Sequence, residues 1–179
     1  MAALRAFAKV VDGLNEKIGS LISWLTTLLV LVVCYDVFTR YLLRQSSVAV
    51  QELEWHIFAV LFLLGAAFTL KHDRHVRVDV LYTRLSPRGK AWVNFFGSLV
   101  FLIPFAILVL WTSKTFVVNS FRIGETSPDP GGLAARYLLK ACIPFAFLLV
   151  LLQGLSLASN SLLAALGDDG KEGEGEREG

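Results

Sequence analysis

Charged residues are missing from four long stretches of the sequence. Residues 18–35, 55–70, 91–113 and 141–167 contain no Asp, Glu, Lys or Arg. Hydrophobic residues make up 55% of the 179 residues, against roughly 45–50% in an ordinary soluble domain. Because little polar chain remains to cover four such stretches, they exclude a soluble globular fold and indicate an integral membrane protein.

Cysteine and histidine are also scarce, which argues against several kinds of site. Cys34 and Cys142 form no CxxC motif, so the sequence indicates neither a dithiol redox centre nor a zinc site. They are expected at similar depth, so a disulfide is conceivable, although buried cysteine usually acts as a small apolar residue. His72 and His75 lie in the basic segment 71–77, whose positive charge opposes metal binding.

Patterns for catalysis and nucleic-acid binding are absent as well. A net charge of +2 provides no cationic surface for nucleic acid, and no nucleophile–base pair, phosphate loop or acid–base carboxylate pair stands out. The charge-free stretches also lack the ionisable groups with which transporters hold ions near the membrane centre. We therefore expect a scaffold with no catalytic, cofactor or metal residues. A stand-alone tetraspan transporter and a membrane enzyme are the alternatives.

The lengths of the apolar stretches set the number of membrane crossings. A span needs roughly 20 mostly apolar residues; the second stretch has only 16, so its helix is expected to begin near Val48. The sequence predicts an all-α membrane protein in which one domain, residues 1–167, holds four transmembrane helices. These cover about residues 18–38, 48–70, 91–113 and 141–163. Residues 168–179 are charged and rich in glycine, which predicts a disordered acidic tail.

Lys and Arg are distributed unevenly between the spans, which predicts the orientation. The N-terminal segment, the second connection and the tail hold eleven of the 17, so the positive-inside rule places both termini in the cytoplasm. No small-x-small cleavage site follows the first apolar stretch, so we expect an uncleaved signal anchor. Before it, apolar residues at helical spacing predict an amphipathic interfacial segment, either lying on the inner membrane surface or simply extending the first span. These residues are Leu4, Phe7, Val11, Leu14 and Ile18.

Proline and glycine mark the expected irregularities. Pro104 is expected to kink the third span, whereas Pro144 is expected in the first turn of the fourth. Residues 127–132, Ser-Pro-Asp-Pro-Gly-Gly, predict a rigid turn. Asp129 is an alternative N-cap for a helix over residues 133–140.

Several segments, in order, resemble the small membrane subunit of tripartite ATP-independent periplasmic (TRAP) transporters. Arg40 and Tyr41 end the first span, and QELEWHIFAVLFLLGAAFTLKHDRHVRVDVLY and SPDPGGLAARYLLKA occupy residues 51–82 and 127–141. In that family an acidic pair precedes the second span, Gly-Ala-Ala ends it, and His-x-x-x-Asp follows. The corresponding residues here are Glu52, Gly65, Ala66, Ala67, His75 and Asp79. Gln51 replaces the first acid of the pair.

The resemblance implies a multi-pass protein of the bacterial inner (cytoplasmic) membrane with two protein partners. One is a large membrane subunit, expected to hold the substrate and the coupling sodium; the other is a periplasmic substrate-binding protein that delivers an organic acid. This chain would brace the large subunit during symport, in contact with membrane lipids and without a cofactor of its own. The candidate structural or subunit-contact residues are Arg40, Tyr41, Glu52, Gly65, Ala66, His75, Arg77 and Asp79.

Overall fold

The structure, a computed structural model, describes residues 2–72, 82 and 85–167. The principal helices of this part are α1 (Ala2–Leu42), α2 (Val48–Lys71), α3 (Pro87–Gly97), α4 (Ile103–Arg122) and α5 (Arg136–Ala165), with a π-helical turn (Ser98–Leu102) joining α3 to α4. Since α3, the turn and α4 form one rod, the described residues contain four rods long and apolar enough to cross a membrane. The predicted all-α fold with four transmembrane helices is confirmed. The acidic tail, residues 168–179, lies outside the described residues.

Helix α5 is the centre of the bundle, because it packs against α1, α2, α3 and α4. Small side chains permit this close packing: Ala67, Ala106 and Ala146 are almost fully buried. Large apolar side chains point outward instead, and Trp111 is 80% exposed. This inverted arrangement is expected in a bilayer, where small residues let helices approach and large apolar ones face lipid.

The N-terminal segment is not a separate surface helix. Residues 2–17 continue into the first span within α1 and pack on α5, so the structure shows the extension rather than the surface-lying alternative. The buried face includes Val11 of the predicted stripe together with Ala8 and Asn15, whereas Phe7 and Leu14 of that stripe are exposed. The reason is that polar side chains on this side of α1 form hydrogen bonds with polar side chains of α5.

The two prolines differ in their effects. Pro104 lies at the second residue of α4, directly after the π-helical turn. Proline lacks an N–H and crowds the carbonyl four residues earlier, which an α-helix cannot accommodate without rearrangement. A π turn is therefore found at the position where the kink is expected. Pro144 lies inside α5, not in its first turn as predicted, because the helix begins eight residues earlier, at Arg136.

The apolar centres of α1 and α2 are not level with those of α5 and of the rod formed by α3 and α4. Leu102 contacts Gly154, which aligns the midpoints of stretches 91–113 and 141–167. In the other pair, Leu25 and Val60 lie near the midpoints of their stretches and share a cavity with Cys142. Because Cys142 precedes Gly154 by about 12 residues, the two apolar belts are offset by roughly 18 Å along the bundle.

Candidate functional site

Glu52 is the most extensively bonded side chain among the predicted residues. It lies in the second turn of α2 and is only 4% exposed. Its Oε1 accepts hydrogen bonds from Ser127 Oγ at 2.5 Å and Arg136 Nη2 at 3.3 Å, and its Oε2 accepts one from the backbone N–H of Leu133 at 2.6 Å. Burial of a carboxylate is tolerated here because both oxygens are hydrogen bonded and a guanidinium balances the charge.

The 123–135 loop is shaped to receive this carboxylate. The predicted turn is present: the Gly132 N–H donates to the Asp129 carbonyl at 3.0 Å, and Gly131 has φ +81°. A Cβ at Gly132 would lie 2.4 Å from Ser127 Oγ and 2.8 Å from Glu52 Oε2, so only glycine fits there. The alternative in which Asp129 caps a helix is wrong, since α5 begins at Arg136 after Ala135, whose φ is +61°.

A second ion pair fastens the other end of the same loop. Glu125 pairs with Lys140, and the ammonium of Lys140 also lies 4.1 Å from the centroid of the Phe116 ring. The hydrogen bond from Lys140 holds the pKa of Glu125 below the usual value for glutamate. Arg136 stacks over Trp55 at 5.4 Å. The loop thus ties the start of α2 and the end of α4 to the start of α5; we call this set of contacts the loop clasp.

The remaining predicted residues do not gather at the loop clasp. Arg40 pairs with the buried Asp36 one turn earlier on α1, and Tyr41 is 74% exposed. Gly65 and Ala66 lie about 20 Å along α2 from Glu52. His75, Arg77 and Asp79 lie outside the described residues. The predicted residues that the structure describes therefore lie at several separate positions rather than in one site.

Close helix contacts occur at other glycines than the predicted one. A Cβ at Gly65 would meet nothing within 4 Å, whereas a Cβ at Gly19 would lie 2.1 Å from Phe68 Cδ2. A Cβ at Gly154 would lie 3.0 Å from Leu102 Cδ2. Gly65 therefore lies on an open surface. Gly19 is the position where α1 packs so closely on α2 that there is no room for a side chain.

A buried polar network joins α1 to α5, and sequence reasoning missed it. Asn15 Nδ2 donates to Gln153 Oε1 at 2.6 Å, Gln153 Nε2 donates to Asp12 Oδ1 at 2.8 Å, and Ser156 Oγ donates to the same oxygen at 3.0 Å. Asn15, Gln153 and Ser156 are each at most 3% exposed. Gln153 lies near the middle of a charge-free stretch, where hydropathy alone does not indicate a polar contact between helices. We call this set the amide network.

The chemistry available to these groups is limited. Among the described residues, no group of three His, Cys, Asp or Glu side chains could hold a metal ion, and Cys34 and Cys142 are free thiols. A cavity of about 290 Å³ between α1, α2 and α5 is lined by aliphatic side chains with His56 and Cys142. The bonded carboxylates and amides described above hold helices together, which is a structural role.

Comparison with known proteins gives two matches. The family model described as "Tripartite ATP-independent periplasmic transporters, DctQ component" matches residues 29–163. A curated protein of Haemophilus influenzae (strain ATCC 51907 / DSM 11121 / KW20 / Rd), named provisionally as a TRAP transporter small permease protein, is 26% identical over 120 residues. That alignment covers 67% of this chain and 74% of the relative. The family match includes both the loop clasp and the α5 side of the amide network.

Proposed function

The chain belongs to the DctQ family of TRAP transporter components, and from this premise we propose that it is a bracing subunit that does not itself carry the solute. It is a multi-pass protein of the bacterial inner membrane and the small permease subunit of its transporter. Its task, in this proposal, is to hold a large membrane subunit in a fixed position while that subunit moves the solute.

The observation that supports bracing most strongly is that α5 is bonded to other helices at two levels, at its start and near its middle. The loop clasp connects one end of α5 to α2 and α4, and the amide network connects its second half to α1. Buried side-chain hydrogen bonds between helices favour a single arrangement of those helices. A bundle held at two levels resists sliding, which is the mechanical property that a brace needs.

We further propose how the chain is oriented in the membrane and where the solute and the coupling ion bind. Both termini face the cytoplasm, so the loop clasp lies on the periplasmic side, where a substrate-binding protein arrives. Uptake of an organic acid is coupled to sodium, and the ion and solute bind in the large subunit. This chain needs no cofactor and catalyses no reaction. The positive-inside distribution of Lys and Arg and the family membership support this arrangement.

Two of the predicted residues, in addition to the exposed but ion-paired Arg40, leave space for a subunit contact. Tyr41 is 74% exposed, and Gly65 has open space above it. Glu52, by contrast, is buried and acts through the shape of the loop. Contact roles for Arg40 and Ala66, and for His75, Arg77 and Asp79, stay predictions.

Co-purification tests the proposal. An affinity-tagged chain, expressed with the large subunit, is expected to retain that subunit through size-exclusion chromatography in mild detergent. Gly65→Leu fills the open surface of α2 and is expected to reduce recovery of the large subunit. Gly13→Leu is the matched control, since a Cβ there also meets nothing within 4 Å. A chain that is stable, monodisperse and free of any larger membrane protein would contradict the proposal.

A further inference from the structure

The cations near the loop side of the bundle differ in whether they are neutralised. Arg40, Arg136 and Lys140 each pair with a carboxylate. The side chains of Lys114 and Arg122, both on α4, form no ion pair or hydrogen bond with the described residues. Helix α4 itself contains no Asp or Glu. Two positive charges on this helix are therefore uncompensated within the described part of the chain.

The depth of Lys114 makes the lack of a counter-charge significant. Lys140 contacts Phe116, so Lys114 and Lys140 lie at nearly the same level of the bundle. Lys140 is neutralised by Glu125 and covered by the Phe116 ring. Lys114 follows directly after a charge-free stretch of 23 residues, and a lysine at the edge of hydrocarbon is stabilised by a nearby anion.

The two free cations line one groove. An open groove of about 590 Å³ on the outer face of α4 is lined by Trp111, Lys114, Thr115, Val118, Asn119 and Arg122. Lys114 and Arg122 are separated by about 12 Å along the helix. The hydroxyl of Thr115 and the amide of Asn119 provide hydrogen-bond donors between them, and Trp111 provides an aromatic surface.

We propose that this groove binds the phosphate group of an anionic phospholipid. Phosphate is complementary to the two cations and the intervening donors, and Trp beside Lys or Arg is typical of the interface at headgroup depth. A partner helix is a poorer occupant, because helices pack through small residues. The small buried residues of α4, Ala106, Ser113 and Ser120, lie on a different face from this groove. This proposal does not depend on the bracing function.

Lipid titration followed by native mass spectrometry tests the site. The full chain in detergent is titrated with phosphatidylglycerol and, separately, with diacylglycerol, which has no phosphate. The double variant K114Q/R122Q is expected to bind phosphatidylglycerol about tenfold more weakly, as loss of charged contacts predicts. K9Q/R44Q, which removes two other exposed cations, is the matched control and is expected to bind as the unmodified chain does. Binding by K114Q/R122Q as tight as that of the control would overturn the proposal.

Photocrosslinking distinguishes lipid from protein as the occupant. A benzophenone amino acid at Val118, in the centre of the groove, is placed in the chain as assembled with its large subunit in native-like membranes. Illumination is expected to yield a phospholipid adduct, identified by its mass. Crosslinking to the large subunit, with no lipid adduct, would show that a protein covers this face and would overturn the proposal.

Discussion

At the scale of single residues, buried carboxylates decide how the loop is held. Glu52 and Glu54 are neighbours on α2, but only Glu52 is fully bonded by the loop; the Oε1 of Glu54 is buried without a hydrogen-bond partner among the described residues. The sequence identified Glu52 as a candidate through a short motif. The sequence could not show that the hydrogen-bond partners of Glu52 are 75 to 84 residues away, because local sequence patterns do not specify long-range contacts.

We predict that Glu52→Gln loosens the 123–135 loop and lowers the melting temperature of the purified chain. The glutamine amide places an N–H donor opposite either the Ser127 hydroxyl or the Leu133 N–H, where a carboxylate oxygen now accepts, and it leaves Arg136 without the charge of Glu52. Limited proteolysis should then cut the loop faster. Glu54→Gln, a change of the same size on the same helix, should have little effect. Equal loop cleavage in the two variants would refute the role assigned to Glu52.

Glu125 gives the loop clasp a pH dependence. Because Lys140 depresses the pKa of Glu125 in the folded state, the ion pair stabilises the fold above the ordinary glutamate pKa of about 4.3. This contribution is lost as the pH falls from there through the folded-state pKa. Thermal unfolding between neutral and acid pH should show a smaller loss of stability in Glu125→Gln than in the unmodified chain. Parallel curves would contradict this assignment.

At the scale of helices, α1 shows how contacts select one face over another. Leu4, Phe7 and Leu14 of its predicted stripe are exposed, whereas Val11 of the same stripe is buried. Asn15 is also buried and donates a hydrogen bond to Gln153. The periodicity of α1 was visible in the sequence, but the choice of face depended on polar groups of α5. The same limit explains Pro144. Helix α5 begins at Arg136, before the apolar stretch that hydropathy detects, and Arg136 and Lys140 in this early part pair with Glu52 and Glu125.

Two glycines of α1 provide a matched test of helix packing. Gly19→Ala places a Cβ 2.1 Å from Phe68 Cδ2, and we expect it to destabilise the bundle by about 1–3 kcal/mol, as overpacking does. Gly13→Ala meets no atom within 4 Å, and alanine favours the helix by roughly 0.5–1 kcal/mol. Reversible unfolding in mixed micelles measures both. A Gly19→Ala variant as stable as Gly13→Ala would show that α1 and α2 are not packed this closely.

At the scale of the whole molecule, the number of spans followed directly from four charge-free stretches, whereas their relative heights did not. Hydropathy locates each apolar centre along the chain but carries no information on how far neighbouring rods slide past one another. Contacts at Gly154 and Cys142 reveal the offset of roughly 18 Å between the two pairs. A hydrocarbon core about 30 Å thick cannot centre both belts around an upright bundle.

We therefore predict that the bundle is strongly tilted in a bilayer. Tilting brings the two apolar belts closer to a common plane and reduces hydrophobic mismatch. Polarised infrared spectroscopy of the chain in aligned bilayers should give a mean helix tilt well above the average of about 20°. A mean tilt near or below that average would contradict the offset arrangement.

The central claim is that this chain supports transport without performing it, and uptake into proteoliposomes tests it most directly. Vesicles containing this chain alone, the large subunit alone, or both are supplied with the binding protein, an organic acid and a sodium gradient. The account predicts uptake by the complete system and none by vesicles that contain this chain alone. Accumulation of the acid by this chain alone would contradict the account and would identify the amide network as the first place to look for a transport site.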